Sequence, residues 1–199
     1  MAIKKYVATA DNTIVNAYQE NLTTRGTGSN AGAADVIETF SIYGRQSSGS
    51  AELSRILIKF PISQITSDRN SNKIPGSGSV KFYLKLYNAA NSKTVPSGTF
   101  SLVAEPLSKN WQEESYSDLT HGNIGSNWMS ASNAAAWTQP GGDYITAANA
   151  AYPYRWFSQT FYTGLEDFEI DITQMVELWS AETLDNYGLG IHFSGAYEA

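Results

Sequence analysis

Two packed antiparallel β-sheets are the architecture this sequence predicts, and three observations carry the prediction. Val80, Phe82, Leu84 and Leu86 alternate with Lys81, Tyr83, Lys85 and Tyr87, the period of two expected of a strand buried on one face. Charged residues make up 16% of the chain against 13% aromatics, with 16 glycines and abundant Ser, Thr and Asn, a composition of strands joined by long polar loops. Strand-like segments recur at irregular intervals, and one segment alone carries a clear helical period. The 199 residues suffice for one core, and neither an internal repeat nor a linker divides them, so residues 1–199 are read as a single all-β domain.

Residues 6–16 form a first, weak strand centred on Thr13, Ile14 and Val15. Residues 19–34 are a polar loop whose Gly26 and Gly28 neither follow a clear strand nor open a helix, which removes a phosphate-loop reading. A strand over 36–43 is followed by a turn at 46–49. Residues 54–60 then set Ile56, Ile58 and Phe60 on one face and Arg55, Leu57 and Lys59 on the other. Residues 63–78 read as a polar connection with at most one helical turn near Ile65. The strand over 80–87 comes next, and Phe100, Leu102 and Ala104 repeat its alternation.

The period changes near the C-terminal end. Phe168, Ile170 and Ile172 alternate with Glu169 and Asp171, after which Ile172, Met175, Val176 and Trp179 take the i, i+3, i+4, i+7 spacing of a short helix. Asp171 with Gln174 reads as its capping box, or Thr173 as a simple N-cap. Asn186, Tyr187 and Gly188 tolerate positive φ, and Leu189, Ile191 and Phe193 alternate as a final strand. The expected core is therefore Ile56, Ile58, Phe60, Val80, Phe82, Leu84, Leu86, Phe168, Ile170, Ile172, Ile191 and Phe193.

Residues 107–162 break the pattern. They hold Trp111, Trp128, Trp137 and Trp156, four of the five tryptophans, with Tyr116, Tyr144, Tyr152, Tyr154, Phe157, Phe161 and Tyr162, yet Asn, Ser, Ala and Gly fill the spaces without a sustained period. Ordering loop residues costs about 1–2 kcal/mol each in backbone entropy, so this aromatic excursion must pack against the sheets. The four tryptophans have three readings: loop-packing core, stacking platforms for sugars, or the centre of a protein interface.

The formal net charge of −6 argues against nucleic-acid binding, which needs clustered Lys and Arg; Lys4 and Lys5 are the lone adjacent pair, read as a solvated end. No run of 18 apolar residues would span a bilayer, and without cysteine there is no disulfide framework or thiolate site. His121 and His192 lack a second histidine at ligand spacing, and no Asp-x-Asp-x-Asp series suggests calcium, so neither metal nor cofactor is expected. Glu113, Glu114 and Asp118 lie near Trp111, and Glu166, Asp167, Glu169 and Asp171 form a second acidic group; paired carboxylates beside aromatics are what glycoside hydrolysis requires. The plainer reading, solvated loop charges and the outer face of a strand, is preferred, and no catalytic residue is assigned.

The run from Phe168 to Phe193, FEIDITQMVELWSAETLDNYGLGIHF, resembles the C-terminal signature of the DNRLRE family. Residues 54–60, SRILIKF, resemble that family's Ser-Arg-x-Leu-x-Lys-Phe strand, and residues 82–87, FYLKLY, its Lys/Arg-Leu-x-Leu-Tyr strand. Residues 107–111, LSKNW, with the Trp-rich stretch beyond, are similar to its Ser-x-x-Trp section. The resemblance implies a non-enzymatic, jelly-roll-like β-sandwich. On a chain with no apolar h-region near its Met1, and hence no secretory signal, it points to a structural protein of a tailed, marine-type bacteriophage virion, made in the host cytoplasm. Such a component, whether capsid decoration, cement, collar or fibre, would bind other virion proteins or copies of itself, with host glycans as alternative partners. Because the family pattern continues beyond residue 193, either the natural protein is longer than these 199 residues or the strand over 189–193 is an open edge that a neighbouring subunit or another virion protein covers.

Overall fold

The structure, a computed structural model, describes residues 3–43, 51–89, 99–116, 119–122, 124–145 and 156–198. The turn expected at 46–49, Tyr152, Tyr154 and Asp118 lie outside these. In chain order the strands are β1 (Ala10–Val15), β2 (Ser29–Asn30), β3 (Ser41–Tyr43), β4 (Ala51–Lys59), β5 (Tyr83–Leu86), β6 (Phe100–Pro106), β7 (Thr120–His121), β8 (Ser130–Ser132), β9 (Ala135–Ala136), β10 (Phe157–Phe161), β11 (Phe168–Asp171) and β12 (Leu189–Phe193). Helix α1 (Ile62–Asn70) follows β4, helix α2 (Thr173–Ser180) follows β11, and one terminal turn covers Gly195–Glu198. No helix among the described residues is long and apolar enough to cross a membrane.

The main sheet is antiparallel, with seven strands in the order β10-β6-β12-β4-β1-β2-β7, and β3 adds to the start of β4. Its register sets Ile14 opposite Arg55 and Ile191 opposite Ile56. Beside it, β5 and β11 pair with Leu84 opposite Ile170, and β8 with β9 makes a further small hairpin.

Alternation along β4 explains why both faces of the main sheet are buried. Ile56 and Ile58 project into a core completed by Leu84, Phe168, Ile170, Ile172, Ile191 and Phe193, under the β5–β11 pair and the two helices. Leu53 and Leu57 project the opposite way, into a second core with Ile14, Leu107, Trp111, Trp128 and Trp137. Full burial of a Leu, Ile or Phe side chain contributes about 1.5–3 kcal/mol, so each face of the sheet has its own hydrophobic drive to be covered. Phe60, Phe82 and Leu86 sit only partly buried at the margin of the first core, and Val80 lies outside it, because the ladder to β11 begins at Tyr83. Similarly, the strand expected over 36–43 shrinks to β3, with Val36 exposed.

The connection expected over 63–78, with one helical turn near Ile65, instead holds the nine-residue helix α1. Pro61 precedes it, Ile62, Ile65 and Asp68 face inward, and Asn72 at φ 55° ends it. The inward-facing Asp68 disguises the helical period, since a carboxylate does not read as a core residue. It is satisfied by Lys4, by the Tyr6 hydroxyl at 3.0 Å and by Lys73 at 3.5 Å.

Helix α2 buries Met175, Val176 and Trp179 at the expected spacing, but no capping box forms. Asp171 Oδ1 accepts the Thr173 N–H at 3.0 Å, while Thr173 Oγ1 accepts the Phe82 N–H at 2.8 Å. The hydroxyl therefore fastens the helix start to β5, and the Gln174 Oε1 is buried without a partner.

Strand β12 is not an edge. It lies between β4 and β6 and pairs with both, which removes the reason for a neighbouring subunit there. The edge at β10 is met instead by a side chain: Gln159 Oε1 accepts the Glu169 N–H at 2.7 Å, and Gln159 Nε2 donates to the Asp167 carbonyl at 2.8 Å. One amide thus links β10 to β11 across the corner between the main sheet and the β5–β11 pair. Phe161, stacked on Phe100 at 5.0 Å and on Phe168 at 6.1 Å, carries the apolar core across the same corner.

Candidate functional site

Three of the four tryptophans marked in the sequence belong to the second core. Trp111, Trp128 and Trp137 are 7%, 7% and 6% exposed, and Trp156 alone is open, at 51%. Trp111 Nε1 donates to the Tyr187 carbonyl at 2.8 Å, and Trp137 Nε1 to the Asn127 carbonyl at 2.8 Å, so each indole satisfies its polar atom while its ring covers Leu57 and its neighbours. A shared stacking surface of these four rings is therefore not formed. Leu107, Trp111, Trp128, Ala131 and Trp137 together close the second core.

The acidic residues bond backbone N–H groups and neighbouring side chains. Glu113 Oε1 accepts the Asp11 N–H at 2.8 Å, and Glu114 Oε1 accepts from the Gln112 amide at 2.7 Å. Burial, with Glu113 adding repulsion, raises the pKa of Asp11. Glu166 Oε1 accepts the N–H groups of Tyr162 and Thr163, both at 2.9 Å. Desolvation alone would raise its pKa; the Thr163 and Tyr162 N–H groups outweigh it and hold the carboxyl at about 2. On the outer face of the β5–β11 pair, Asp171 and Glu169 meet Lys81 and Lys85 at 3.2 and 2.8 Å. Among the described residues, no group of three or more His, Asp or Glu side chains could hold a metal ion.

One polar cluster was not foreseen. Arg55, on the second-core face of β4, is gripped by Glu198 through Nε–Oε1 at 3.2 Å and Nη2–Oε2 at 2.6 Å, and donates to the Gly141 carbonyl at 3.0 Å. Its guanidinium lies 5.1 Å from the Trp128 ring and 5.6 Å from that of Tyr144. His192, on the same face of β12, approaches Glu105 at 3.3 Å and Glu198 at 3.7 Å. Burial pushes the Tyr144 hydroxyl up to about 12 against the opposing pull of Arg55. Gly190 makes room for this ring, since a Cβ there would stand 2.4 Å from it. The cluster ties the terminal turn to the sheet; sequence hid it because Glu198 and Arg55 are 143 positions apart.

An open cleft of about 690 Å³ lies at the far end of β1, lined by Val15, Tyr18, Gln19, Glu20 and Leu119 among others. Its wall is a short hairpin over 17–26. Gln19 N–H bonds the Thr24 carbonyl and Gly26 N–H the Ala17 carbonyl, at 2.8 and 2.7 Å, and Asn21 Oδ1 accepts from Thr23 and Thr24 at 3.0 and 2.9 Å. The sequence marked this stretch only as a polar loop.

No family model, no curated protein and no solved structure matches the chain.

Proposed function

We propose that this protein is a non-enzymatic structural component of a bacteriophage virion, a jelly-roll-like sandwich module that works through protein–protein contacts. What supports the reading is the position of the four segments that resemble the DNRLRE family. Residues 54–59 lie within β4, 82–87 span β5, and 168–193 are β11, α2 and β12, which together supply most of the first core. Residues 107–111 bring Leu107 and Trp111 to the second. The same segments that carry the resemblance thus carry the packing, as expected when a family pattern specifies a scaffold rather than a site. The two-layer arrangement, a broad antiparallel sheet facing the β5–β11 pair, is the basis for the jelly-roll part of the proposal.

The carboxylates that a glycan-cleaving alternative would need, Glu113 and Glu114, are occupied with Asp11 and Gln112. Mass spectrometry and electron cryomicroscopy of density-purified particles from the source test the proposal. Ordered, stoichiometric copies of the chain are expected; particles that lack it overturn the reading.

A further inference from the structure

We propose that residues 3–8 are an exchangeable arm: the seat on α1 that holds them in this chain also takes the same segment of a second copy. The inference goes beyond the virion reading and does not depend on it.

Arm and seat meet at one buried carboxylate. Asp68, on the inward side of α1, has a side chain only 5% exposed, and its Oδ2 accepts from Lys4 Nζ and from the Tyr6 hydroxyl, the latter at 3.0 Å. Its other oxygen meets Lys73 at 3.5 Å, an ammonium that is itself largely in water. An enclosed carboxylate is costly to leave unpaired, so Asp68 selects a segment that brings a cation and a hydroxyl two positions apart. Tyr6 and Ala8 also pack at the margin of the first core, while Ile3 and Val7 are 84% and 80% exposed.

Little else fastens the arm. No backbone N–H or carbonyl of residues 3–8 bonds to another described group; the first such bond runs from Thr9 N–H to the Lys59 carbonyl at 2.8 Å, just before β1. A segment outside the backbone ladder opens at lower free energy than the strand it leads into, which puts the hinge at Thr9. The seat, by contrast, is built without the arm. Ile62 and Ile65 anchor α1 in the first core, and Arg69 Nη1 donates to Glu177 of α2 at 2.9 Å. A seat that outlasts its occupant can be refilled, and the segment already shown to fit it is the arm itself. Within one chain the arm has an effective concentration of about a millimolar, so exchange sets in where copies are crowded together. The outward Ile3 and Val7 are then the apolar surface that the second copy covers.

The test uses two full-length chains. Because the sequence has no cysteine, Ile3→Cys carries a single nitroxide at an exposed position. The donor bears this nitroxide with Asp68→Asn, which frees its arm. The isotope-labelled acceptor bears Lys4→Ala with Tyr6→Ala, which empties its seat; Lys4→Ala alone is the milder acceptor should the double change cost the fold. The donor is expected to broaden the acceptor amides of residues 66–73, saturating with a Kd of about 1 mM or tighter, while the β8–β9 hairpin on the other face of the main sheet stays sharp. Lys4→Ala with Tyr6→Ala added to the donor should weaken the effect about tenfold, and so should a wild-type acceptor, whose own arm fills the seat. No broadening with donor at about 2 mM, broadening spread over the whole fold, a response that survives loss of Lys4 and Tyr6 from the donor, or an equal response from the wild-type acceptor would each overturn the assignment.

Discussion

Glu198 closes on Arg55 with both carboxylate oxygens, and the two side chains are only 12% and 16% exposed. The terminal turn is thereby pinned to the middle strand of the main sheet. Removal of one partner leaves the other charge enclosed, so Glu198→Ala should lower unfolding stability by about 3–5 kcal/mol in urea denaturation. The double change Arg55→Met with Glu198→Leu should cost clearly less than Glu198→Ala alone, because it removes the charge along with its partner. Equal losses would show that the pair is not enclosed in solution.

The bridge from Gln159 to β11 predicts a stability cost at a residue that belongs to no apolar core. Gln159→Ala breaks the bonds to Glu169 N–H and to the Asp167 carbonyl. At about 0.5–1.5 kcal/mol each, a loss of about 1–3 kcal/mol is expected. Gln159→Glu keeps the acceptor and loses the donor, and it sets a charge against the Asp167 carbonyl, so it should not restore the wild-type value. Amide exchange at Glu169 of β11 gives the local readout: its N–H should lose protection in Gln159→Ala and keep most of it in Gln159→Glu, which retains the acceptor.

The first core can be probed at two positions of the same sequence alternation. Leu84 is 1% exposed, and Leu84→Ala should cost about 2–5 kcal/mol. Val80 lies outside the core, and Val80→Ala should cost about 1 kcal/mol or less. Equal costs in thermal or chemical unfolding would restore Val80 to the core and contradict the placement of β5.

Stability should fall at both ends of the pH scale for nameable reasons. Glu166 has a folded pKa of about 2, below its ordinary 4.5, so the unfolded chain takes up its proton first as the solution is acidified. Its contribution is present above pH 4.5 and is lost as the pH falls toward 2; Glu166→Gln should flatten that part of the acid limb. Tyr144, pushed up to about 12 from 10.0, behaves in the opposite sense. The unfolded chain releases the proton first, so stability is intact below pH 10 and is lost as the pH rises to about 12. In a tyrosinate absorbance titration Tyr144 and Tyr6, the latter also raised to about 12 by burial beside Asp68, should ionise late, and Tyr144→Phe should remove one late step.

Local periodicity was enough for β4, β11, α2 and β12, because each shows its burial pattern within a few consecutive residues. Composition was enough to expect that the aromatics of residues 107–162 pack on the sheets, as Trp111, Trp128 and Trp137 do, whereas Trp156 and Tyr162 stay exposed. Helix α1 escaped because one of its inward positions is Asp68, whose burial is made tolerable by Lys4 and Lys73 from outside the helix. What the tryptophans do was beyond local reading as well. Trp111, Trp128 and Trp137 are core rather than surface only because Leu57, Leu53 and Ile14 present a second apolar face on the main sheet. Strand order was likewise decided in three dimensions: a strand near the end of the chain reads as an edge, yet β12 slots between β4 and β6, where its Leu189 and Ile191 are wholly removed from water. Period and composition are properties of neighbouring residues. Pairing of Arg55 with Glu198 and of Gln159 with Glu169 depends on which distant strands meet, and that was settled by burying two faces of one sheet at once.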